Sequence, residues 1–173
     1  MFDESAAASI VRFGELAASL GADTDTPEIA ASRIRFETAT TSLQEATATR
    51  PEITVAVIRQ FDNGVMVPNY DVLGDLIYFK ENGVNFIGND EDHASEFGVE
   101  WFTYSYEELN LLSADVILTF GDLTTIDIFN NLPAVKADQV GIWETVKRLS
   151  YQGFSEPVEK LTVLIANAKK VAL

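Results

Sequence analysis

Ile53-Thr54-Val55-Ala56-Val57-Ile58-Arg59 is the stretch that decides the fold. Apolar and β-branched residues follow one another without polar alternation. That pattern predicts a strand covered on both faces, as strands of parallel sheets are. Asp115-Val116-Ile117-Leu118-Thr119-Phe120 repeats it and is stopped by Gly121-Asp122. Shorter strand patterns stand at residues 65–67 (closed by Pro68), 84–88, 101–104 and 140–143, and Asn63-Gly64 marks a turn. Helical patterns alternate with them. Residues 72–82 point Leu73, Leu76, Ile77 and Phe79 mostly inward and stop at Gly83. Ser105-Tyr106-Glu107-Glu108 opens a helix ending by Ser113. Further helices are read at 124–131 and 155–168, the last with Val158, Leu161, Leu164 and Ile165 inward. Strands alternating with helices predict an α/β fold: a Rossmann-like three-layer lobe with a mostly parallel sheet of about four or five strands.

Working outward, residues 1–50 read as helical and residues 51–173 as the α/β lobe. The first helix places Ile10, Phe13, Leu16, Ala17 and Leu20 near a 3.6-residue period and stops at Gly21. Thr26-Pro27-Glu28 then supplies an N-cap, a proline in the first turn and a first-turn acid. A long helix follows to about Ala48, and Pro51 closes it. Its apolar stripe (Ile29, Ala30, Ile34, Leu43, Ala46) is thin, which predicts a helix on a surface or between units rather than one filling a core.

Composition narrows the function. The chain has 173 residues, 47% of them hydrophobic, enough for a true core. Twelve basic against 27 acidic residues leave a net charge of −15, which argues against nucleic acid and against a polybasic membrane contact. There is no cysteine, so disulfides, thiolate nucleophiles and Cys-based zinc sites fall away, and the single histidine, His93, forbids a site with two His ligands. No run of about 18 apolar residues is present, so direct membrane insertion is not expected. The opening Met1-Phe2-Asp3-Glu4-Ser5 lacks the basic and apolar stretches of a signal peptide.

Catalytic motifs do not emerge. Neither a dinucleotide glycine fingerprint nor a P-loop is present, and there is no G-x-S-x-G elbow. The run Asn89-Asp90-Glu91-Asp92-His93 reads as an acidic solvated loop, with His93 a surface residue.

Four strings, in order, resemble the C-terminal lobe of a bacterial solute-binding protein of the class whose two lobes are joined by a long helix. That class serves ABC importers of iron-siderophores, haem and cobalamin. The strings are Thr54-Val55-Ala56-Val57-Ile58-Arg59 with the following Asp62-Asn63-Gly64-Val65; Tyr104-Ser105-Tyr106-Glu107-Glu108-Leu109 leading to Ala114-Asp115-Val116-Ile117; Leu132-Pro133-Ala134-Val135-Lys136-Ala137-Asp138-Gln139-Val140; and Leu149-Ser150-Tyr151-Gln152-Gly153-Phe154. The resemblance implies that the Pro27–Ala48 helix is the interlobe spacer. It also implies that the chain is a C-terminal half whose N-terminal lobe, signal and lipid-bearing cysteine lie outside it. The implied role is non-catalytic and extracytoplasmic, with an ABC permease as partner. No resident cofactor is implied, and the transported ligand would be a ferric siderophore, haem or cobalamin. An enzyme lobe with an unrecognised active site, or a structural domain, are the competing classes.

Ligands of open α/β sheets bind beyond the carboxyl ends of the strands. Those ends nominate Arg59 and Phe61, with Arg59 suited to an anionic ligand group or, alternatively, to a salt bridge. Trp143 and Tyr151 are candidates for an aromatic wall, Trp143 equally for the core. Arg148 and Tyr70 complete the candidate ligand set. Glu107 sits where the family carries a glutamate that docks onto permease arginines; it would also serve as a first-turn acid favoured by the helix dipole.

Overall fold

The computed structural model describes residues 4–95, 98–144 and 149–171. Helix α1 spans Ala6–Ser19 and α2 Pro27–Thr49; strands β1 (Thr54–Phe61) and β2 (Gly64–Pro68) follow, then α3 (Gly74–Glu81), β3 (Asn85–Phe86) and β4 (Trp101–Ser105). A 3₁₀ helix at Tyr106–Leu112 leads to β5 (Val116–Phe120), α4 (Asp127–Asn130), α5 (Pro133–Lys136), β6 (Val140–Ile142) and α6 (Tyr151–Asn167).

Strand β1 is central. Val55, Ala56, Val57 and Ile58 are all 0% exposed, so both faces of the strand are covered, as its unbroken apolarity requires. It pairs in parallel with β5 over Val55–Arg59 and, at its start, with β3; β5 pairs in parallel with β6. The sheet is mixed, not purely parallel: most strands run with β1, β2 runs against it, and the six strands stand in the order β4-β2-β1-β5-β6 with β3 beside the start of β1. The cause is the hairpin: Phe61 pairs with Gly64 across Asp62-Asn63, sending β2 back antiparallel, and β4 then pairs antiparallel with β2. Gly64 belongs to β2 rather than to a turn. A Cβ there would stand 2.2 Å from the Tyr104 carbonyl oxygen, so glycine permits the close approach of β4.

Two groups of helices enclose the sheet. Phe36 of α2, Tyr78 and Phe79 of α3 and Phe154 of α6 form one aromatic cluster, with ring centroids 5.1–6.1 Å apart in the contacting pairs. Leu109 and Leu112 of the 3₁₀ helix, Phe129 of α4 and Ala134 of α5 are buried in the same continuous core. Helix α2 lies on this core through a narrow stripe, with most of its other positions exposed, as its sequence suggests. Its inward positions are Phe36, Ala39, Leu43, Ala46 and Thr47, whereas Ile34 is 63% exposed. Thr47 belongs there because its hydroxyl donates to the Asn82 carbonyl oxygen at 2.9 Å. In α1 the expected inner stripe also fails beyond Ile10: Phe13, Leu16 and Leu20 are exposed. Helix α6 begins at Tyr151, earlier than the sequence suggests, because the Ser150 hydroxyl caps Gly153 N–H at 3.0 Å and Pro157 is accepted inside the helix.

At the opposite end of the sheet from the strand termini discussed below, Asp115 pins the chain. Its buried carboxylate accepts from Thr54 N–H, Val171 N–H and the Lys170 ammonium, at 2.9, 2.7 and 2.9 Å. Burying a charge is tolerable only with such partners.

The packing of α2 is testable. Leu43 is 0% exposed. Leu43→Ala should cost about 2–5 kcal/mol in urea unfolding. Ile34→Ala should stay within about 0.5 kcal/mol of wild type, as surface substitutions do. Equal, small effects would mean that α2 stands off the core.

Candidate functional site

Register assembles the site. Arg59 pairs with Phe120 on one side and Met66 on the other, and Met66 pairs with Thr103 of β4. Side chains two residues apart share a face, so Trp101 falls on the face of Thr103 and hence of Arg59. Beyond β6, the Trp143 N–H donates to the Thr119 carbonyl oxygen at 2.8 Å, which sets Trp143 beside Phe120. Trp101, Arg59, Phe120 and Trp143 thus form one row at the carboxyl ends of β1, β5 and β6.

The row has a defined geometry. The Arg59 guanidinium lies 5.2 Å from the Phe120 ring centroid and 5.6 Å from that of Trp101. Each contact is worth about 0.5–2 kcal/mol. Trp143 meets both rings edge-on, at 6.4 and 6.3 Å. Among the described residues Arg59 has no ion-pair partner, as is also true of Arg33, Lys136 and Lys169, while Arg12, Arg35, Arg50, Lys80, Lys160 and Lys170 have at least one. In a chain with more than twice as many acidic as basic residues, an exposed arginine held between rings keeps its donor fork free for another acceptor.

Beneath the row lies a residue that sequence reasoning missed. Trp143 is 3% exposed, and its indole N–H donates to Asp75 Oδ2 at 2.8 Å. Asp75, in the first turn of α3, is itself 1% exposed. Burial raises its pKa, and the hydrogen bond from Trp143 pulls the other way. An acid one helical turn ahead of Phe79 and next to Leu76, on the inner face, is the sequence signal that marks it.

The other nominated residues are dispersed. Tyr70 is in the core, not at the rim: it is 3% exposed, stacks on Phe86 at 4.3 Å, donates to the Ile87 carbonyl oxygen at 2.8 Å and accepts from Val57 N–H at 3.2 Å. Burial raises its pKa well above that of a free phenol. Phe61 ends β1, half-buried. Tyr151 packs on Phe36 at 5.7 Å with Arg33 over its ring at 5.3 Å. It lines a groove of about 500 Å³ between α1, α2 and the start of α6. Trp143 and Tyr151 share no ring neighbour among the described residues, so the structure does not join them into one wall. Arg148 lies outside the described residues. Glu107 is exposed in the first turn of the 3₁₀ helix, beside the capping box in which Glu108 accepts from Ser105 N–H at 3.0 Å.

His93 is not a free surface residue. Its ring stacks on Tyr104 at 4.0 Å, with Asp90 and Glu108 each 3.5 Å from a ring nitrogen. The Tyr104 hydroxyl, its pKa pushed up to about 12 mainly by burial, donates to the Gly88 carbonyl oxygen at 2.9 Å. Gly88 has φ +108°, and a Cβ there would meet Leu112 at 2.9 Å, so only glycine fits this crossing. Among the described residues no cluster of three or more His, Asp or Glu side chains could hold a metal ion, and no helix is long and apolar enough to cross a membrane.

Comparison with solved structures identifies the class to which this architecture corresponds. The chain matches DesE, a ferric-siderophore receptor protein from Streptomyces coelicolor, at 32% identity and a TM-score of 0.92, over 98% of this chain and 59% of that one. It matches the siderophore periplasmic binding protein from the fuscachelin gene cluster of Thermobifida fusca at 24% identity and a TM-score of 0.65, over 88% and 57%. FhuD2 from Staphylococcus aureus with bound ferrioxamine B matches at 15% identity and a TM-score of 0.58, over 91% and 64%. The last two show the fold alone. The structural neighbours are thus siderophore-binding proteins with this fold, and the resemblance read from the sequence holds. They are binding proteins rather than enzymes. The chain spans about three fifths of their length. No family model and no curated protein matches it.

The Asp75 carboxyl gives a pH test. A raised folded pKa means that the folded state holds the proton more tightly than the unfolded chain. That contribution is complete below the unfolded value, about 3.9, and is lost as pH rises through the folded value. Wild type should therefore lose stability relative to Asp75→Asn as pH rises above about 4. Urea midpoints of the two proteins across pH measure this. A flat difference, or one that favours wild type at higher pH, contradicts it.

Proposed function

We propose that this chain is the C-terminal lobe of the substrate-binding component of an ABC importer for a ferric siderophore, and that it is non-catalytic. The observation that carries the reading is the 32% identity to a ferric-siderophore receptor over nearly the whole chain. The row of Trp101, Arg59, Phe120 and Trp143 supports it chemically. The half-buried rings of Trp101 and Phe120, backed by the buried Trp143, offer apolar area to a bulky complex, and a guanidinium without a carboxylate partner suits the anionic oxygens around ferric iron. An enzyme lobe would need a perturbed acid open to a cleft. The perturbed acid here, Asp75, is buried and bonded to Trp143. Phe61 and Arg148 are kept as further proposed ligand contacts; Tyr70 and Tyr151 are better placed for packing.

A single lobe supplies a single wall, so ferrioxamine B should bind this chain alone weakly, with Kd on the order of 1 mM, about −4 kcal/mol. In a protein that joins the chain to a second lobe, binding should be much tighter. Arg59→Ala should then weaken it by about 1.5–3 kcal/mol, as for loss of a charge-assisted hydrogen bond. Isothermal titration reads both. An unchanged affinity in the variant removes Arg59 from the site.

In the importer, the proposal gives Glu107 the task of docking onto a permease arginine at the extracytoplasmic face of the membrane. Its exposure meets the condition that role imposes. Glu107→Ala should leave stability within about 0.5 kcal/mol and ligand affinity unchanged while reducing uptake. Glu107→Arg should be worse, because it sets like charges together. The gap between wild type and Glu107→Ala in permease binding should narrow at higher salt. Normal uptake by Glu107→Arg contradicts the docking role.

A further inference from the structure

A buried indole N–H must find an acceptor, and a backbone carbonyl would serve at little cost. For Trp143 the fold instead buries a carboxyl group, Asp75, at 1% exposure, with Oδ2 accepting at 2.8 Å and Oδ1 left without a hydrogen-bond partner. A buried carboxyl oxygen without a partner costs stability, so packing alone does not account for this choice of acceptor. Its effect is directional. Trp143 is the first residue after β6, its backbone N–H bonded to Thr119; the turn of its buried ring about the side-chain torsions is confined by packing and by the hydrogen bond of the indole. Of the two, the hydrogen bond to an acceptor fixed on α3 is the directional one. The ring so set meets Trp101 and Phe120 edge-on, and those two rings flank the Arg59 guanidinium.

We propose that Asp75 is the positioning residue of the ligand wall: by holding the Trp143 indole it fixes the Trp101 and Phe120 rings and, through them, the direction of the Arg59 guanidinium. The inference rests on the reading of this row as a siderophore-binding wall. Asp75 touches no ligand; it acts through Trp143.

The test uses the whole chain, with the Trp101 and Trp143 indole N–H and Arg59 Nε–H signals assigned in nitrogen-15 spectra. Asp75→Ala should shift all three signals and speed solvent exchange of the Trp143 N–H. Ferrioxamine B affinity should fall about five- to tenfold. Asp75→Asn, which keeps an acceptor oxygen, should restore the signals and the affinity. Trp143→Phe removes the donor from the other side while keeping a ring; it should move the Trp101 and Arg59 signals too, and decides the matter if Asp75→Ala fails to fold. Arg59 and Trp101 signals indifferent to these changes, an Asn variant that behaves like Ala, or an Asp75→Ala affinity equal to wild type each overturn the inference. If ferrioxamine B leaves Arg59 of the wild-type chain unperturbed, the ligand-wall reading itself falls, a failure visible before any variant is made.

Discussion

Val55 to Ile58 leave no surface to water, and the rest of the molecule is arranged around that constraint. A strand covered on both faces needs packing layers on both, and parallel neighbours finish with it at one rim. The chain supplies them: β5 and β6 run parallel to β1, and the packed aromatic rings of α2, α3 and α6 enclose the sheet together with the 3₁₀ helix, α4 and α5. Arg59 is the first residue of β1 beyond that buried stretch. Its position at a rim shared with Phe120 and Trp143 is therefore a consequence of the core.

Electrostatics gives that rim its character. The chain is strongly acidic, yet the carboxylates that form ion pairs do so with other cations: Glu159 with Arg35, Glu144 with Lys160, and Asp115, buried, with Lys170. Rings rather than carboxylates hold Arg59. A salt bridge would occupy the fork of donors; a cation over a ring leaves it open. The same economy explains the buried Asp75, whose burial disfavours its charge and whose one strong contact orients an indole.

Much of this was legible in the sequence, and the remainder fails for physical reasons. The runs at 53–58 and 115–120 name their strands because continuous apolarity has one explanation at that length. Strand direction is carried by the connection, and the short Asp62-Asn63 loop, legible as a turn, is what sends β2 back antiparallel and makes the sheet mixed. The inward face of α2 was half legible: Leu43 and Ala46 were named, whereas Ala39, Thr47 and Phe36 were not, Phe36 because its partners Tyr78 and Phe154 are far along the chain. Arg59 was visible as a strand end. Trp101, Phe120 and Asp75 were not, because the row exists only through register across the sheet, which no single stretch encodes. Tyr70 reads as a candidate ligand contact in the sequence, whereas its hydroxyl reaches back into the core to Val57 and Ile87.

The central claim is that a ferric complex lies against the carboxyl ends of β1 and β5. Ferric iron in ferrioxamine B is paramagnetic and broadens the nuclear resonances closest to it, so it reports its own position on the chain. The account predicts that broadening is strongest at Arg59, Trp101 and Phe120 and fades toward Asp115 at the other end of the sheet. Broadening centred on the groove between α1, α2 and α6, or spread evenly over the acidic surface, would contradict it.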